Sequence, residues 1–178
     1  GLGYYSRVRN LKKAAQVIME RHGGVFPRDH AAVLALPGIG DYTAGAICSI
    51  AFSQPTPAVD GNVLRVLSRL RADSEPIDLP AVKKRVQGAL AEIYPADCPG
   101  EFTQALMELG ATVCVPNGEP KCSLCPCREI CEGRQDWQKY PVKLPKQAKK
   151  QENRTVFLLR WEDRWAIEKR PDRGLLAG

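Results

Sequence analysis

No apolar run in this chain of 178 residues approaches the roughly 20 residues that a membrane-spanning helix needs, and no segment has the layout of a secretory signal. These absences predict a soluble protein of the cell interior, expected in the cytoplasm. Internal repeats and low-complexity segments are also missing. Acidic side chains are the minority charge: 20 Asp and Glu stand against 26 Lys and Arg, for a net charge of +6 and a pI near 9.0. Such a balance attracts polyanions and repels acidic proteins. An opening Met is absent as well. The chain starts on Gly1-Leu2-Gly3-Tyr4-Tyr5 and stops on Gly174-Leu175-Leu176-Ala177-Gly178, where a strand pattern is beginning. Both ends read as cuts, and the length suits one domain and a fraction of another.

What is present is mostly helical spacing. Between Ser6 and Arg21 the apolar positions Val8, Leu11, Ala14, Ala15, Ile18 and Met19 recur on one face, and Gly23-Gly24 ends the pattern. Asp29 is placed to cap a short helix through Leu36, and after Pro37-Gly38-Ile39-Gly40 a second helix is predicted from Asp41 to Phe52. Together they make a helix-hairpin-helix over residues 29–52. Pro37 and the two glycines force a tight turn, and the amides that open the second helix face outward with the positive end of its dipole. A phosphate fits there.

Further helices are predicted over Gly61 to Leu70, Leu79 to Ile93 and Glu101 to Ala111, so the fold class is mainly α, a helical bundle. Asp60 stands just before the first of them, in the run Ala58-Val59-Asp60-Gly61-Asn62. Taken alone it reads equally as a plain helix N-cap and as a reactive carboxylate. The dipole favours its ionised form, and burial would oppose it. From Asp136 to Asn153 the chain turns basic and proline-bearing and reads as a linker. Thr155 to Trp161 and Trp165 to Arg170 are β-rich about a turn at Glu162-Asp163-Arg164, a hairpin opening another domain. The predicted plan is a helical region over 1–111, a cysteine-rich loop over 112–135, a basic linker over 136–153 and a β-containing start over 154–178.

Of seven cysteines, Cys114, Cys122, Cys125 and Cys131 fall within eighteen residues in the spacing C-x7-C-x2-C-x5-C. Four thiolates so close in sequence converge on one metal centre without long-range folding. Zinc stays open as the metal. Zinc ribbons pair two C-x2-C knuckles, however, and only one exists here, so the uneven spacing fits an iron-sulfur cluster better. Cys127 substitutes for Cys131 on spacing alone, but Cys125-Pro126-Cys127 is cramped and Cys127 is read as a bystander. Cys48 and Cys98 lie far off and read as small buried hydrophobes.

Taken together, the segments Gly1 to Leu11, Leu36 to Ala46, Val59 to Val63 and Gln104 to Gly110, with the four cysteines, resemble the endonuclease III superfamily of DNA glycosylases. In detail they resemble its adenine DNA glycosylase branch. The resemblance runs through nearly the whole chain and implies a [4Fe-4S] cluster on Cys114, Cys122, Cys125 and Cys131. It also makes Thr155 to Gly178 the opening of a Nudix-like domain that helps recognise 8-oxoguanine. The implied activity is hydrolytic removal of adenine opposite 8-oxoguanine or guanine in duplex DNA, by a monomer associated with a bacterial nucleoid.

The resemblance assigns roles residue by residue. Asp60 is the catalytic carboxylate that stabilises positive charge on the sugar as its base departs. Asn62 hydrogen-bonds near the sugar or orients Asp60. The strand-cleaving branch carries a lysine where Tyr42 stands, and a phenol cannot form an imine, so base removal without efficient strand cleavage is expected. Tyr4 is the wedge beside the base opposite the target, and Arg7 and Arg9 are phosphate contacts. In the hairpin, the amides around Gly38, Gly40 and Tyr42, next to Thr43, grip a phosphate. The carbonyls of Leu34, Leu36 and Ile39 hold a monovalent or calcium ion that bridges to the same phosphate. The departing adenine needs a proton. In the family a glutamate upstream of the Gly-Leu-Gly-Tyr-Tyr segment supplies it, so the chain as given is expected to be inactive; Glu101 and Glu108 read as surface positions.

Two departures stand out. The first cysteine interval is seven residues where familiar members have six, and Val115 to Lys121 carries only Lys121 against Glu119, which weakens that loop as a DNA contact. Two other functions compete: an endonuclease III-like glycosylase of oxidised pyrimidines, and a non-catalytic helix-hairpin-helix DNA-binding module with a structural metal knot.

Overall fold

The computed structural model describes residues 5–145, 148, 151, 153 and 155–169. The chain divides into two units, Gly1–Pro145 and Lys146–Gly178. In the first, α1 spans Tyr5–Arg21, α2 His30–Leu34, α3 Asp41–Ala46, α4 Gly61–Leu70, α5 Pro80–Ile93 and α6 Pro99–Glu108. Among the described residues no helix is long and apolar enough to cross a membrane.

Local chemistry sets most of these boundaries. The Asp29 side chain accepts the Ala32 amide at 3.0 Å and starts α2. Two successive turns, Leu36 N to Val33 O and Ile39 N to Leu36 O, end it two residues earlier than the predicted Leu36. Gly38 has φ +81°, a left-handed conformation that glycine adopts freely. Its missing Cβ is required twice over, because one built there would lie 2.6 Å from Asn10 Cβ of α1.

The second hairpin helix is not the uniform α-helix expected from Asp41 to Phe52. It changes at Ile47–Ala51 into a π-helical turn. Ser49 Oγ donates to Gly45 O at 2.8 Å, competing with the backbone for that carbonyl. Thr103 of α6 donates to Ser49 at 2.7 Å, and Tyr94 Oη lies 2.5 Å from Thr103 Oγ1, so a buried chain of hydroxyls pins the turn to α6. The helix predicted from Glu101 starts earlier, at Pro99, where proline's missing N–H costs nothing, and passes into a second π-helical turn at Leu109–Val113.

The core has two parts. Val33, Ala44 and Cys48 close the hairpin with Leu34, Ile39 and Ile47 around them. Val63, Leu90 and Tyr94 join α4 to α5, with Phe102 and Leu106 of α6 packed against them. Cys48 is fully buried there, as the sequence suggests, and burial, aided by Asp29, pushes its thiol pKa up. Cys98 is a correction: it is exposed, at the N-terminus of α6, with its thiol directed at Asp97 Oδ1.

The segment that composition reads as a linker behaves in two ways. Its first part is docked on the helical unit: Ile77 N donates to Val142 O at 3.0 Å, and Leu144 N donates to Asp78 Oδ2 at 3.0 Å. Beyond it, the hairpin is shorter than predicted. Among the described residues only β1 Arg160–Trp161 and β2 Arg164–Trp165 pair, antiparallel, about a turn in which Glu162 has φ +53°. One further bond, Ala166 N to Leu159 O at 3.0 Å, extends them. Val156, Phe157, Leu158 and Ile167 are exposed, so nothing buried rewards longer strands in this segment. Arg170 lies outside the described residues.

Candidate functional site

The end of the π-helical turn and a proline-bearing loop deliver the chain to Asp60. Backbone closeness controls the approach: a Cβ on Gly45 would sit 2.2 Å from Pro57 O, so only glycine lets α3 pass the loop that carries Asp60. Asp60 is extended, with φ −106° and ψ −175°, and its Oδ1 accepts the Val63 amide at 2.8 Å. It therefore caps α4, and the cap uses one oxygen. The other, Oδ2, accepts Asn62 Nδ2 at 2.9 Å. Both predicted residues are thus joined in one hydrogen-bonded pair that fixes the carboxylate plane.

Arg65 extends the pair inward. Its guanidinium donates to Asn62 Oδ1 at 2.9 Å, to Gly110 O at 2.6 Å and to Cys114 O at 2.9 Å. Burial pulls the Arg65 pKa down, opposed by Cys114 and Asp60, while Arg69 adds to the lowering. One turn on, Arg69 donates to Cys114 Sγ at 3.3 Å, to Val115 O at 3.0 Å and to Tyr140 O at 3.1 Å, and stacks on Trp137 with its Cζ 5.4 Å from the ring centre. A continuous polar path therefore runs from the Asp60 carboxylate through α4 to the cysteine loop. Gly110 makes it possible, since a Cβ there would fall 2.6 Å from Asn62 Cβ.

The path missed in the sequence had a signal: Asn62, Arg65 and Arg69 lie three and four residues apart, on one face of a helix otherwise rich in Val and Leu. Two buried arginines need partners, and carbonyls of the cysteine loop supply them. Replacing Arg65 with Met should leave the Gly110 and Cys114 carbonyls unpaired and cost about 2 kcal/mol. A chemical denaturation midpoint measures it, and wild-type stability in this variant would remove the path's structural role.

The four predicted cysteines border a common cavity. Cys114, Cys122, Cys125 and Cys131 line one cavity with Arg69, Leu109 and Trp137. Three turns in series build it: Cys125 N to Cys122 O at 3.2 Å, Arg128 N to Cys125 O at 3.1 Å and Cys131 N to Arg128 O at 3.4 Å. C-x2-C-x5-C is thus a three-residue period with Arg128 at the unused position. The loop is tied to α4 by Gly133 N to Arg69 O at 2.9 Å and Glu132 N to Leu70 O at 3.0 Å. All these cysteines are free thiols, and burial pushes Cys131 up. Among the described residues no three Cys, His, Asp or Glu side chains close on a single ion. Four thiols spread around one cavity beside the Arg69 cation are a donor set suited to a polynuclear cluster, whose irons sit apart.

The Asp60–Asn62 pair opens onto a cleft of about 760 Å³ that Tyr42 also lines. Tyr42 is 40% exposed, and its hydroxyl points to Met107 Sδ at 3.7 Å. Thr43 is half-buried in the first turn of α3. Gly40 opens that turn with φ −107° and ψ 177° and has no side chain with which to cap its amides. Arg7 is exposed on α1; Tyr4 lies outside the described residues. The cleft also takes in Lys83, Trp137, Tyr140 and Lys143, none of which sequence reasoning placed there. The last three belong to the stretch read as linker.

Residues 1–94 match the family model of the HhH-GPD superfamily base excision DNA repair protein. The chain belongs to that superfamily. This HhH-GPD chain is 48% identical over 136 residues to the human adenine DNA glycosylase, covering 76% of this chain and 25% of that protein. It is 34% identical over 171 residues to the adenine DNA glycosylase of Buchnera aphidicola (subsp. Acyrthosiphon pisum), covering 95% of this chain and 49% of the other. Among solved structures it is similar to a thermostable thymine-DNA glycosylase, with TM-score 0.66 at 31% identity over 74% of this chain and 59% of that one. It is also similar to a non-covalent endonuclease III–DNA complex, with TM-score 0.61 at 28% identity over 75% and 60%. The HhH-GPD chain thus spans between about a quarter and a half of these curated relatives' length.

Proposed function

We propose that this chain is the helical part of an adenine DNA glycosylase that excises adenine opposite 8-oxoguanine from duplex DNA by hydrolysing the N-glycosidic bond. The observation that carries the reading is the hydrogen-bonded Asp60–Asn62 pair in an open cleft that Tyr42 also lines. A carboxylate there faces a flipped nucleotide, and its charge stabilises the sugar as the bond to adenine lengthens. Asn62 holds it in plane, and Arg65 holds Asn62. With Tyr42 at the position of the Schiff-base lysine, no amine attacks the sugar, so water completes the reaction and the strand stays intact.

The hairpin supplies sequence-independent grip: Gly38, Gly40 and Thr43 offer backbone to a phosphate, Arg7 contacts another, and Tyr4 is the wedge beside the base opposite the target. The Leu36 carbonyl, which already accepts Ile39 N–H, keeps a second lone pair for a monovalent or calcium ion shared with Leu34 and Ile39. Cys114, Cys122, Cys125 and Cys131 would hold a [4Fe-4S] cluster, which would cross-link a loop that backbone hydrogen bonds already tie to α4. The enzyme acts as a monomer, and in bacteria would work at the nucleoid.

The test uses the protein at the length of its relatives, on duplexes carrying adenine opposite 8-oxoguanine, guanine or thymine. Adenine should be released from the first two in single turnover, with little strand cleavage and little covalent complex under borohydride. Strong trapping, or release of oxidised pyrimidines in place of adenine, would favour the endonuclease III-like alternative instead.

A further inference from the structure

The cysteine cavity holds one thiol more than a four-ligand cluster uses. Cys127 lines it beside Cys114, Cys122, Cys125 and Cys131, and like them it is in no disulfide. Backbone geometry explains its presence. Arg128 N–H donates to the Cys125 carbonyl at 3.1 Å, closing a turn with Pro126 and Cys127 at its centre. Cys127 has φ −94° and ψ 14°, the values of the second central position of a type I turn, and proline's fixed φ suits the first. What looks cramped in the sequence is therefore accommodated by a turn with Cys127 at its second central position. Burial pushes the Cys127 thiol up, with Cys125 and Cys114 adding to it, and burial likewise raises Cys131. Cys127 thus lines the same cavity as the quartet, two residues from Cys125 and in the same turn.

We propose that Cys127 is a reserve cluster ligand that replaces Cys125 at the iron when the Cys125 sulfur is unavailable. The proposal rests on the cluster reading given above. On binding, the Cys127 sulfur donates a lone pair to the metal and its proton passes to solvent, with no change of oxidation state.

Iron and sulfide per chain, with the electron paramagnetic resonance spectrum, read the outcome in the wild-type protein and in Cys125→Ser, Cys127→Ser, Cys122→Ser and Cys125→Ser/Cys127→Ser. Cys127→Ser should hold wild-type iron, and Cys125→Ser should hold most of it with an altered spectrum. The double variant and Cys122→Ser should lose it. Iron released to a chelator should appear faster from Cys127→Ser than from wild type, a comparison that does not require Cys125→Ser to fold. A Cys125→Ser protein as empty as the double variant, equal release rates, or a Cys127→Ser protein that binds no iron would each overturn the proposal. Wild-type protein without iron would overturn the cluster reading along with it.

Discussion

Asp60→Asn is expected to slow single-turnover adenine release by about 10²- to 10³-fold while the protein melts within a few degrees of wild type. The two halves of that result come from the two oxygens. An asparagine oxygen can still accept the Val63 amide, now made at 2.8 Å, and asparagine caps helices as well as aspartate does. The negative charge is what disappears. In addition, the new side-chain NH2 would face Asn62 Nδ2, which currently donates to Oδ2 at 2.9 Å, so Asn62 must turn or lose a bond. Asp60→Ala should lose the charge and the cap together, adding about 1 kcal/mol of destabilisation. If Asp60→Asn released adenine at the wild-type rate, Asp60 would be a helix cap and nothing else, and the binding-module reading would take over.

Gly45→Ala should be among the most damaging single-methyl additions in the chain. The added Cβ would lie 2.2 Å from Pro57 O, 2.8 Å from Pro57 C and 3.1 Å from Ala58 Cα, all backbone atoms that no rotamer change can move aside. Either α3 or the loop leading to Asp60 must shift, at a cost of about 3 kcal/mol or more. The effect should show as a lower denaturant midpoint with an unchanged slope, and as lost DNA affinity through the displaced hairpin. Gly88→Ala provides the contrast. Nothing lies within 4 Å of a Cβ there, in the exposed middle of α5, so the same methyl should stabilise by roughly 0.5–1 kcal/mol. Equal effects at the two positions would show that Gly45 is not a point of contact between helix and loop.

How far the sequence reaches depends on how local the interaction is. The caps at Asp29 and Asp60 each bond an amide three residues ahead, so the residue type and its place before an apolar period were enough to find them. The hairpin turn follows equally from Pro37, Gly38 and Gly40. The cysteine quartet was legible because its last three members are three and six residues apart, a spacing that consecutive turns satisfy without help from the rest of the fold. The two π-helical turns were not legible, since Ser49 distorts its helix only because Thr103 and Tyr94 arrive from elsewhere to complete its hydrogen bonds.

By itself, then, the order of residues determined the helices, the hairpin turn, the capping carboxylate and the gathering of four thiols, because each is settled by neighbours a few positions away. Tertiary structure alone decided that Arg65 and Arg69 turn inward to join that carboxylate to the cysteine loop across 45 and more positions. It also brought residues 137–143 back to line the cleft, and placed Cys127 against the quartet. The physical reason is common to all three. A buried cation, an unpaired carbonyl or an open wall is satisfied by whichever distant group the packing brings within reach, and no spacing along the chain encodes that group.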